Sequence, residues 1–353
     1  MSRFLSKSFQ SMKPYTPGEQ PQNMQYIKLN TNESPYAPSP KVLGTANIAS
    51  LENLRLYSDP EVKDLTNTIA AYYKVESNQI LVGNGSDEIL AFAFQAFHDE
   101  NTAICFPEIT YGFYKVFSNL YQIANKQISL TKDFKIDVED YLNCGKNVIL
   151  ANPNAPTGIC LPLSDIETIL KTNSNHLVMI DEAYIDFGGE SCISLLKKYD
   201  NLLVIQTFSK SRSLAGARIG FAISSKEIIE DLNKIKFSFN PYNVNRLSMA
   251  LGKAAMEDDE YFKKCTDAII KTREKTTKNL ETLGFEVLPS KANFIFVRHS
   301  KIKGSEYFKA LKQKGILVRH WDDALISDFV RITIGTEAQM ECLYQVTKEI
   351  IGL

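Results

Sequence analysis

No apolar run in this sequence approaches the roughly 18 residues that a membrane-spanning helix needs. The opening MSRFLSKSFQ mixes charged, hydroxyl and apolar residues where a secretory leader has an unbroken apolar core. A cytoplasmic, soluble protein is the expectation. An excess of one charge is missing too: 40 Lys and Arg stand against 41 Asp and Glu, a formal net charge of −1, with no long like-charged run at either end. That balance offers neither the basic stripe of a nucleic-acid binder nor the cationic face of a membrane-surface helix, so neither partner is expected. The six cysteines (Cys105, Cys144, Cys160, Cys192, Cys265, Cys342) and four histidines (His98, His176, His299, His320) are scattered. Without metal-ligand spacing they argue against a metal centre and for reduced thiols in a core. Internal repeats and low-complexity tracts are absent as well.

What is present has a clear rhythm. At 353 residues the chain exceeds the about 250–300 residues that one core serves, so a large domain with a smaller companion is expected. Short Val/Ile/Leu-rich runs alternate with helical stretches: QILVGNGSDEILAFAFQAF, TAICFP before YGFYKVFSNLY, NVILANP before DIETILK, then HLVMIDEAY and NLLVIQTFSK. Buried strands separated by helices predict an α/β fold, a mostly parallel sheet with helices on both faces. Ser164 followed by Glu167 has the pattern of a helix capping box. Beyond ARIGFAIS, a charged helical stretch over about 243–282 leads to NFIFVRH, EYFKALKQKG, ILVRHW, FVRITIGT and a closing helix. This reads as a smaller α+β C-terminal domain entered through a long helix. The resulting division is an aperiodic, proline-rich N-terminal arm (1–45) packing on the small domain and a partner subunit, a large domain (46–245) and the small domain (246–353).

Four stretches carry candidate chemistry. GNGSDE, residues 83–88, joins a strand to a helix, where free amides and the helix dipole can hold a phosphate, although Ser86 or Asp87 could equally be a plain N-cap. A third glycine at dinucleotide-fingerprint spacing is missing, which removes the best support for a Rossmann dehydrogenase. HLVMIDEAYIDF ends a strand in Asp181, with Tyr184 beyond, and the carboxyl end of a buried parallel strand is where α/β proteins face their ligands. ANPNAPTG is a turn rich in amides. TFSKSRSLAGARIG sets Lys210, Arg212 and Arg218 among small residues. Taken singly each stretch is a solvated turn or a cap. Together they match the needs of pyridoxal phosphate: a lysine to condense with its aldehyde, a carboxylate for the pyridine nitrogen, donors for its phosphate and a flat group against its ring.

The order and spacing of these motifs resemble the fold-type I pyridoxal-phosphate-dependent aminotransferases, and within them the histidinol-phosphate aminotransferase branch. The resemblance runs through MKPYTPG, IKLNTNESPYAPSP, LYSDP, GNGSDE, PEITYGFY, NPNAPTG, DEAYIDF, TFSKSRSLAGARIGF, NPYNVN, ANFIFVR, GILVRHW and VRITIGT. It implies a homodimer with active sites at the subunit boundary. Carried over by motif, Lys210 would link covalently to the cofactor and later move the substrate proton, and Asp181 would pair with the ring nitrogen. Tyr184 would bond the phenolic oxygen and Tyr111 would lie against the ring. The phosphate would fall to the Ser86 and Asp87 amides, Ser209 and Arg218, with Tyr57 reaching in from the partner. Members of the family frequently have Asn immediately before Pro-Thr-Gly, whereas this chain has Ala155, leaving Asn154 to serve through a shifted turn or the bond to be missing.

Among substrate groups, Arg331 resembles the arginine that clamps the α-carboxylate. Arg319 and Tyr15 resemble groups around the substrate phosphate, although Arg319 could instead pair with Asp322 or Asp323. Asn32 and Tyr242 resemble residues lining the site. The implied reaction converts L-histidinol phosphate and 2-oxoglutarate to imidazole acetol phosphate and L-glutamate, running physiologically toward histidine synthesis. An aromatic amino-acid aminotransferase, a threonine-phosphate decarboxylase and a non-catalytic regulator on the same fold are the competing readings. Arg212 is left as an ordinary solvated turn residue.

Overall fold

The structure is a computed structural model and describes residues 2–10, 12–21, 26–45 and 51–352. The N-terminal arm contributes one short strand, β1 (Ile27–Lys28), and a helix, α1 (Pro40–Thr45). After α2 (Lys63–Tyr73) the chain lays down β2 (Ile80–Gly83), β3 (Ile104–Pro107), β4 (Asn125–Ile128), β5 (Asn147–Ala151), β6 (Val178–Asp181), β7 (Leu202–Thr207) and β8 (Gly220–Ile223). These form one seven-stranded sheet in the order β2-β8-β7-β6-β5-β3-β4. It is mostly parallel: only β8 runs against its two neighbours, β2 and β7. The expected sheet is therefore present.

The runs are continuously apolar because each strand feeds two cores. Ile149, Met179, Leu203 and Ile205 join the cluster under α3 (Ser86–Ala96), α4 (Phe113–Leu120) and α6 (Lys226–Phe239). Their immediate neighbours Val148, Val178, Leu202 and Val204 join the opposite cluster with α5 (Leu163–Thr172). Side chains alternate across a strand, so in a sheet covered on both faces successive residues of a central strand are buried whichever way they point, and the polar ones, such as Asn147, Asp181 and Gln206, fall at or near strand ends.

The second sheet is antiparallel. It has the order β12 (Arg319–His320), β13 (Val330–Thr333), β10 (Phe294–His299), β9 (Phe285–Val287), and it packs with α8 (Asp259–Thr282), α9 (Gly304–Gln313) and α10 (Glu337–Ile351). The arm is tied to this part, since β1 pairs in parallel with β11 (Ile316–Leu317). Leu29 of the arm and Ala155 and Tyr184 from loops of the large sheet are buried in the same apolar cluster as the second sheet. That shared core brings the strand ends of one sheet against the face of the other.

Three local expectations are corrected. The stretch expected as one helix over about 243–282 is two: α7 (Arg246–Met256) begins at an Asn245 cap that accepts from the Ser248 amide, and α8 starts afresh after Glu257 and Asp258. Ser164 caps nothing. Pro162, with φ of −68° and ψ of 155°, stands at the N-cap, Ser164 lies inside the first turn, and Glu167 reaches across to Lys198 at 3.0 Å. Proline has the right φ to start a helix and displaced the serine from the cap. In GNGSDE the N-cap is Gly85, neither Ser86 nor Asp87.

Candidate active site

The register of the large sheet assembles one edge. β2, β3, β5, β6 and β7 all end there, and the reversed β8 starts there, with Gly220 paired to both Gly83 and Thr207. Residues placed just after those ends face one cleft, as expected at the carboxyl edge of a parallel sheet.

Asp181 closes β6 and is buried. Burial raises its pKa to about 6, against hydrogen bonds from the Tyr114 hydroxyl to Oδ2 (2.8 Å) and the Ala183 amide to Oδ1 (3.2 Å), which favour the anion. Lys210 follows the adjacent strand β7. Its Nζ donates to the Thr31 carbonyl of the arm at 3.2 Å and lies 5.8 Å from the centre of the Tyr184 ring. Burial and then the Arg331 cation lower its pKa to about 8, while Asp87 and Glu33 pull the other way. The amine is thus partly neutral at neutral pH, which a nucleophile or proton carrier requires.

A cradle lies beside them at the start of α3. Gly85 has φ of 86°, and a Cβ there would come within 2.7 Å of Nη2 of Arg218. At Gly220 a Cβ would collide with the Ser86 amide. Only glycine permits so close an approach of backbone to backbone and to the guanidinium. Arg218 Nη2 meets Asp87 Oδ2 at 3.1 Å, and the other oxygen of Asp87 accepts from the Tyr111 hydroxyl at 2.7 Å. Ser209 is buried with its hydroxyl 3.0 Å from that of Thr207.

The roof comes from the arm and the second sheet. Asn32, buried with φ of 56°, donates from Nδ2 to the Tyr184 hydroxyl at 2.9 Å. It is itself fixed by the Thr333 hydroxyl on its Oδ1 and by Asn293 on its carbonyl, both at 3.0 Å. Arg331, from β13, donates from Nη2 to the Asn30 carbonyl at 3.0 Å and has its Nε buried with no hydrogen-bond partner among the described residues. Its guanidinium lies 5.2 Å from the ring centres of both Phe294 and Trp321. Arg319 faces the same Trp321 at 5.3 Å and donates to the Thr16 and Pro17 carbonyls at 3.1 and 3.2 Å, while Asp322 sits 3.7 Å from His320 instead. Tyr15 stacks on Phe113 with centroids 4.3 Å apart and tilts toward Tyr111 at 6.4 Å. Burial raises the Tyr15 pKa, and Arg331 and Arg319 are the cations that oppose the rise.

The structure therefore gathers Lys210, Asp181, Tyr184, Asn32, Tyr111, Ser86, Asp87, Ser209, Arg218 and Arg331 at this edge of the sheet, with Arg319 and Tyr15 near Arg331. Asn154 is close by, but its amide is committed, donating to the Ile109 carbonyl (3.0 Å) and the Thr157 hydroxyl (3.1 Å) and accepting from Thr110. Ala155 is buried in the apolar cluster that holds Tyr184. Tyr57 and Tyr242 stand apart: they stack on each other at 4.7 Å, 79% and 43% exposed.

The chain matches the family model described as aminotransferase class I and II over residues 24–346. This chain belongs to the class I and II aminotransferases. A histidinol-phosphate aminotransferase of Brachyspira hyodysenteriae is 51% identical over 352 residues, 99% of each chain. The crystal structure of the Clostridium acetobutylicum histidinol-phosphate aminotransferase superimposes with a TM-score of 0.85 at 26% identity, over 92% of this chain and 99% of that one. The Sinorhizobium meliloti enzyme, solved in complex with pyridoxal-5'-phosphate, shares the fold with a TM-score of 0.90 at 24% identity, over 100% and 98% of the two chains.

Several residues of this aminotransferase site escaped the sequence reading. Tyr114, which holds Asp181, follows Tyr111 by one helical turn in the stretch already read as a helix, so its spacing was the available signal. Thr333, Asn293 and Trp321 lie in stretches quoted above, but nothing local singled them out, since their role exists only where two distant segments meet. Arg212 is corrected: it is buried, donates to the Ala255 carbonyl at 2.7 Å and lies 4.1 Å from the Phe262 ring centre. The solvated-turn reading failed because α7 and α8 close over that turn. Among the described residues no group of His, Cys, Asp and Glu is placed to hold a metal, and no helix is long and apolar enough to cross a membrane.

Proposed function

We propose that this aminotransferase uses pyridoxal phosphate to exchange an amino group between L-histidinol phosphate and 2-oxoglutarate, giving imidazole acetol phosphate and L-glutamate. The observation that carries the reading is the pairing of a lysine amine with a pKa of about 8 and a buried carboxylate on adjacent strand ends, beside a glycine-walled cationic cradle. The residues fit the cofactor. A buried carboxylate such as Asp181 is costly without a positive partner, and a ring N–H supplies one. The close packing of Gly85, Gly220, Ser86 and Arg218 sets helix N-terminal amides and a guanidinium side by side, the donor set that a phosphate takes. When bound, the cofactor supplies an aldehyde that takes up amino groups and a ring that withdraws electrons from the substrate carbon.

The remaining work belongs to the chain. Lys210 Nζ, partly neutral, takes the proton from the substrate α-carbon and returns it on the other side of the exchange. Asp181, kept anionic by Tyr114 and the Ala183 amide, holds a proton on the ring nitrogen. Tyr184, oriented by Asn32, directs its hydroxyl toward the phenolic oxygen. With the Asn154 amide committed and alanine at 155, Tyr184 carries that contact without an asparagine partner. Ser86, Asp87, Ser209 and Arg218 hold the phosphate, and Tyr111 lies against the ring.

Two guanidiniums against Trp321 favour the doubly anionic substrates. Histidinol phosphate has no carboxylate, so its phosphate takes Arg331, Arg319 and the Tyr15 hydroxyl, and the two carboxylates of glutamate use the same cations. The unpartnered Nε of Arg331 is a donor available to that anion. The aromatic wall of Tyr15, Phe113 and Tyr111 suits an imidazole and equally a phenyl ring, which makes aromatic amino acids the second reading. We assign residues 1–45 as an arm, 46–245 as the cofactor-binding domain and 246–353 as the small domain. The assembly is a cytoplasmic homodimer in which Tyr57, and Tyr242 beside it, serve the neighbouring copy's site.

Half-reaction spectra test this. Histidinol phosphate should convert the bound cofactor to its amine form far more efficiently than phenylalanine, tyrosine or threonine phosphate; faster conversion by phenylalanine would overturn the substrate, and a protein that takes up no pyridoxal phosphate would overturn the whole reading.

A further inference from the structure

The segment Leu56–Pro60 is held by its backbone more than by its side chains. Leu56 is 44% and Tyr57 79% exposed, so burial contributes little to fixing either. Instead Arg246, the first residue of α7, donates from Nε to the Leu56 carbonyl at 3.1 Å and from Nη2 to the Tyr57 carbonyl at 2.5 Å. Lys236, in the last turn of α6, donates from Nζ to the Pro60 carbonyl at 2.6 Å. The Asp59 carboxylate turns back onto the amides of Glu61 and Lys63 at 3.0 and 2.9 Å, which starts α2. Tyr242, in the loop joining α6 to α7, supplies the plane on which Tyr57 stacks. One helix–loop–helix therefore contributes two cations and an aromatic ring to five residues of chain.

Neither cation has a task in the cleft. Lys236 is only 2% exposed, and its bond to the Pro60 carbonyl offsets part of the cost of withdrawing the ammonium from water. The clamp is also referenced to the cradle. Asn243, next to Tyr242, donates from Nδ2 to Glu88 Oε2 at 2.5 Å, and the same oxygen accepts from the Asn84 amide at 2.6 Å. Helix α6 packs directly on α3, whose first turn forms the cradle. Tyr57 is thus presented outward from a frame rigidly connected to its own copy's phosphate-holding turn.

We propose that Arg246, assisted by Lys236, is a positioning residue: by gripping the carbonyls of Leu56 and Tyr57 it sets the Tyr57 hydroxyl where the cofactor phosphate of a second copy lies. This rests on the shared-site reading given above. A guanidinium suits the task because its fork spans two consecutive carbonyls, which a single ammonium cannot do.

Mixed dimers test it through cofactor affinity. One copy carries Lys210→Ala, so only the other can form the lysine-linked absorbance, and pyridoxal phosphate is titrated into the cofactor-free dimer. Arg246→Met in the Lys210→Ala copy should weaken cofactor binding at the live site by about tenfold, the loss of one charge-assisted phosphate contact. The same substitution in the live copy should leave it within about twofold, and Arg246→Lys, keeping one of two bonds, should fall between. Equal effects from either copy, or none from both, would overturn the proposal. Tyr57→Phe separates the two ideas: if it lacks the same asymmetry the shared site itself is wrong, whereas an asymmetric Tyr57→Phe beside a symmetric Arg246→Met sinks the positioning role alone. Arg246 is exposed, so the variant keeps the core intact.

Discussion

The floor and the roof of the cleft are fixed in different ways. Asp181 owes its place to strand register, being the residue of β6 that pairs with Ile205 of β7 at the edge of a sheet built from consecutive strands. Asn32 owes its place to Thr333, 301 residues away, and to Asn293 beside it. A floor of this kind is rigid because shifting one strand would turn every side chain to the wrong face. The roof depends on a core shared by the arm, the second sheet and two loops of the first. In the function proposed above, the reacting groups would sit on the floor and the groups that choose among substrates on the roof.

Substitutions can pull these two apart. Lys210→Ala removes the amine proposed as proton carrier and should cost about 10⁴-fold in turnover, with loss of the lysine-linked absorbance; retention of either would mean that the chemistry is not on the floor. Asp181→Asn should lower kcat by about 10²–10³-fold with a smaller change in KM, since its charge matters most when the ring accepts electrons. On the roof, Arg331→Lys loses the paired geometry for an anion and should lower kcat/KM for glutamate by about 10–100-fold while the cofactor stays bound. Loss of cofactor in that variant would erase the distinction between the regions. Tyr114→Phe removes a donor to the anionic form of Asp181, so the carboxyl pKa should rise further above about 6 and activity fall about fivefold, most at the acid end of the pH profile.

The smallest effect links the two regions. Cofactor attachment to the free enzyme needs the neutral Lys210 amine, so its rate should climb as pH rises through about 8. Because the Arg331 cation lowers that pKa, Arg331→Met should move the climb to higher pH, and an unmoved profile would show that roof and floor are electrostatically separate.

How much of this was readable in the chain differs residue by residue. The apolar strand runs, the acid at the end of HLVMID and the small residues around Lys210 were legible because each follows from local rules of period and turn chemistry. Capping shows the limit of such rules. Ser164-x-x-Glu167 has the pattern and forms no box, whereas Thr336-x-x-Gln339 forms one with both bonds made. A neighbouring proline decided the first case, and competition between local partners is not visible in a four-residue pattern. Arg212 failed for another reason, since a basic turn reads as solvated until two helices are known to cover it.

By itself the sequence determined the alternation of strands and helices through the large sheet, the glycines beside Arg218 and Ser86, and the lysine and carboxylate that belong at strand ends. These depend on neighbours a few residues apart and on side-chain alternation, so they survive without knowledge of the rest. The tertiary structure alone decided that Tyr114 holds Asp181, that Thr333 and Asn293 aim Asn32 at Tyr184, that two guanidiniums approach Trp321, and that Arg246 grips the turn carrying Tyr57. Each is a contact between segments far apart in the chain, and its partner is chosen by how two cores close on one another.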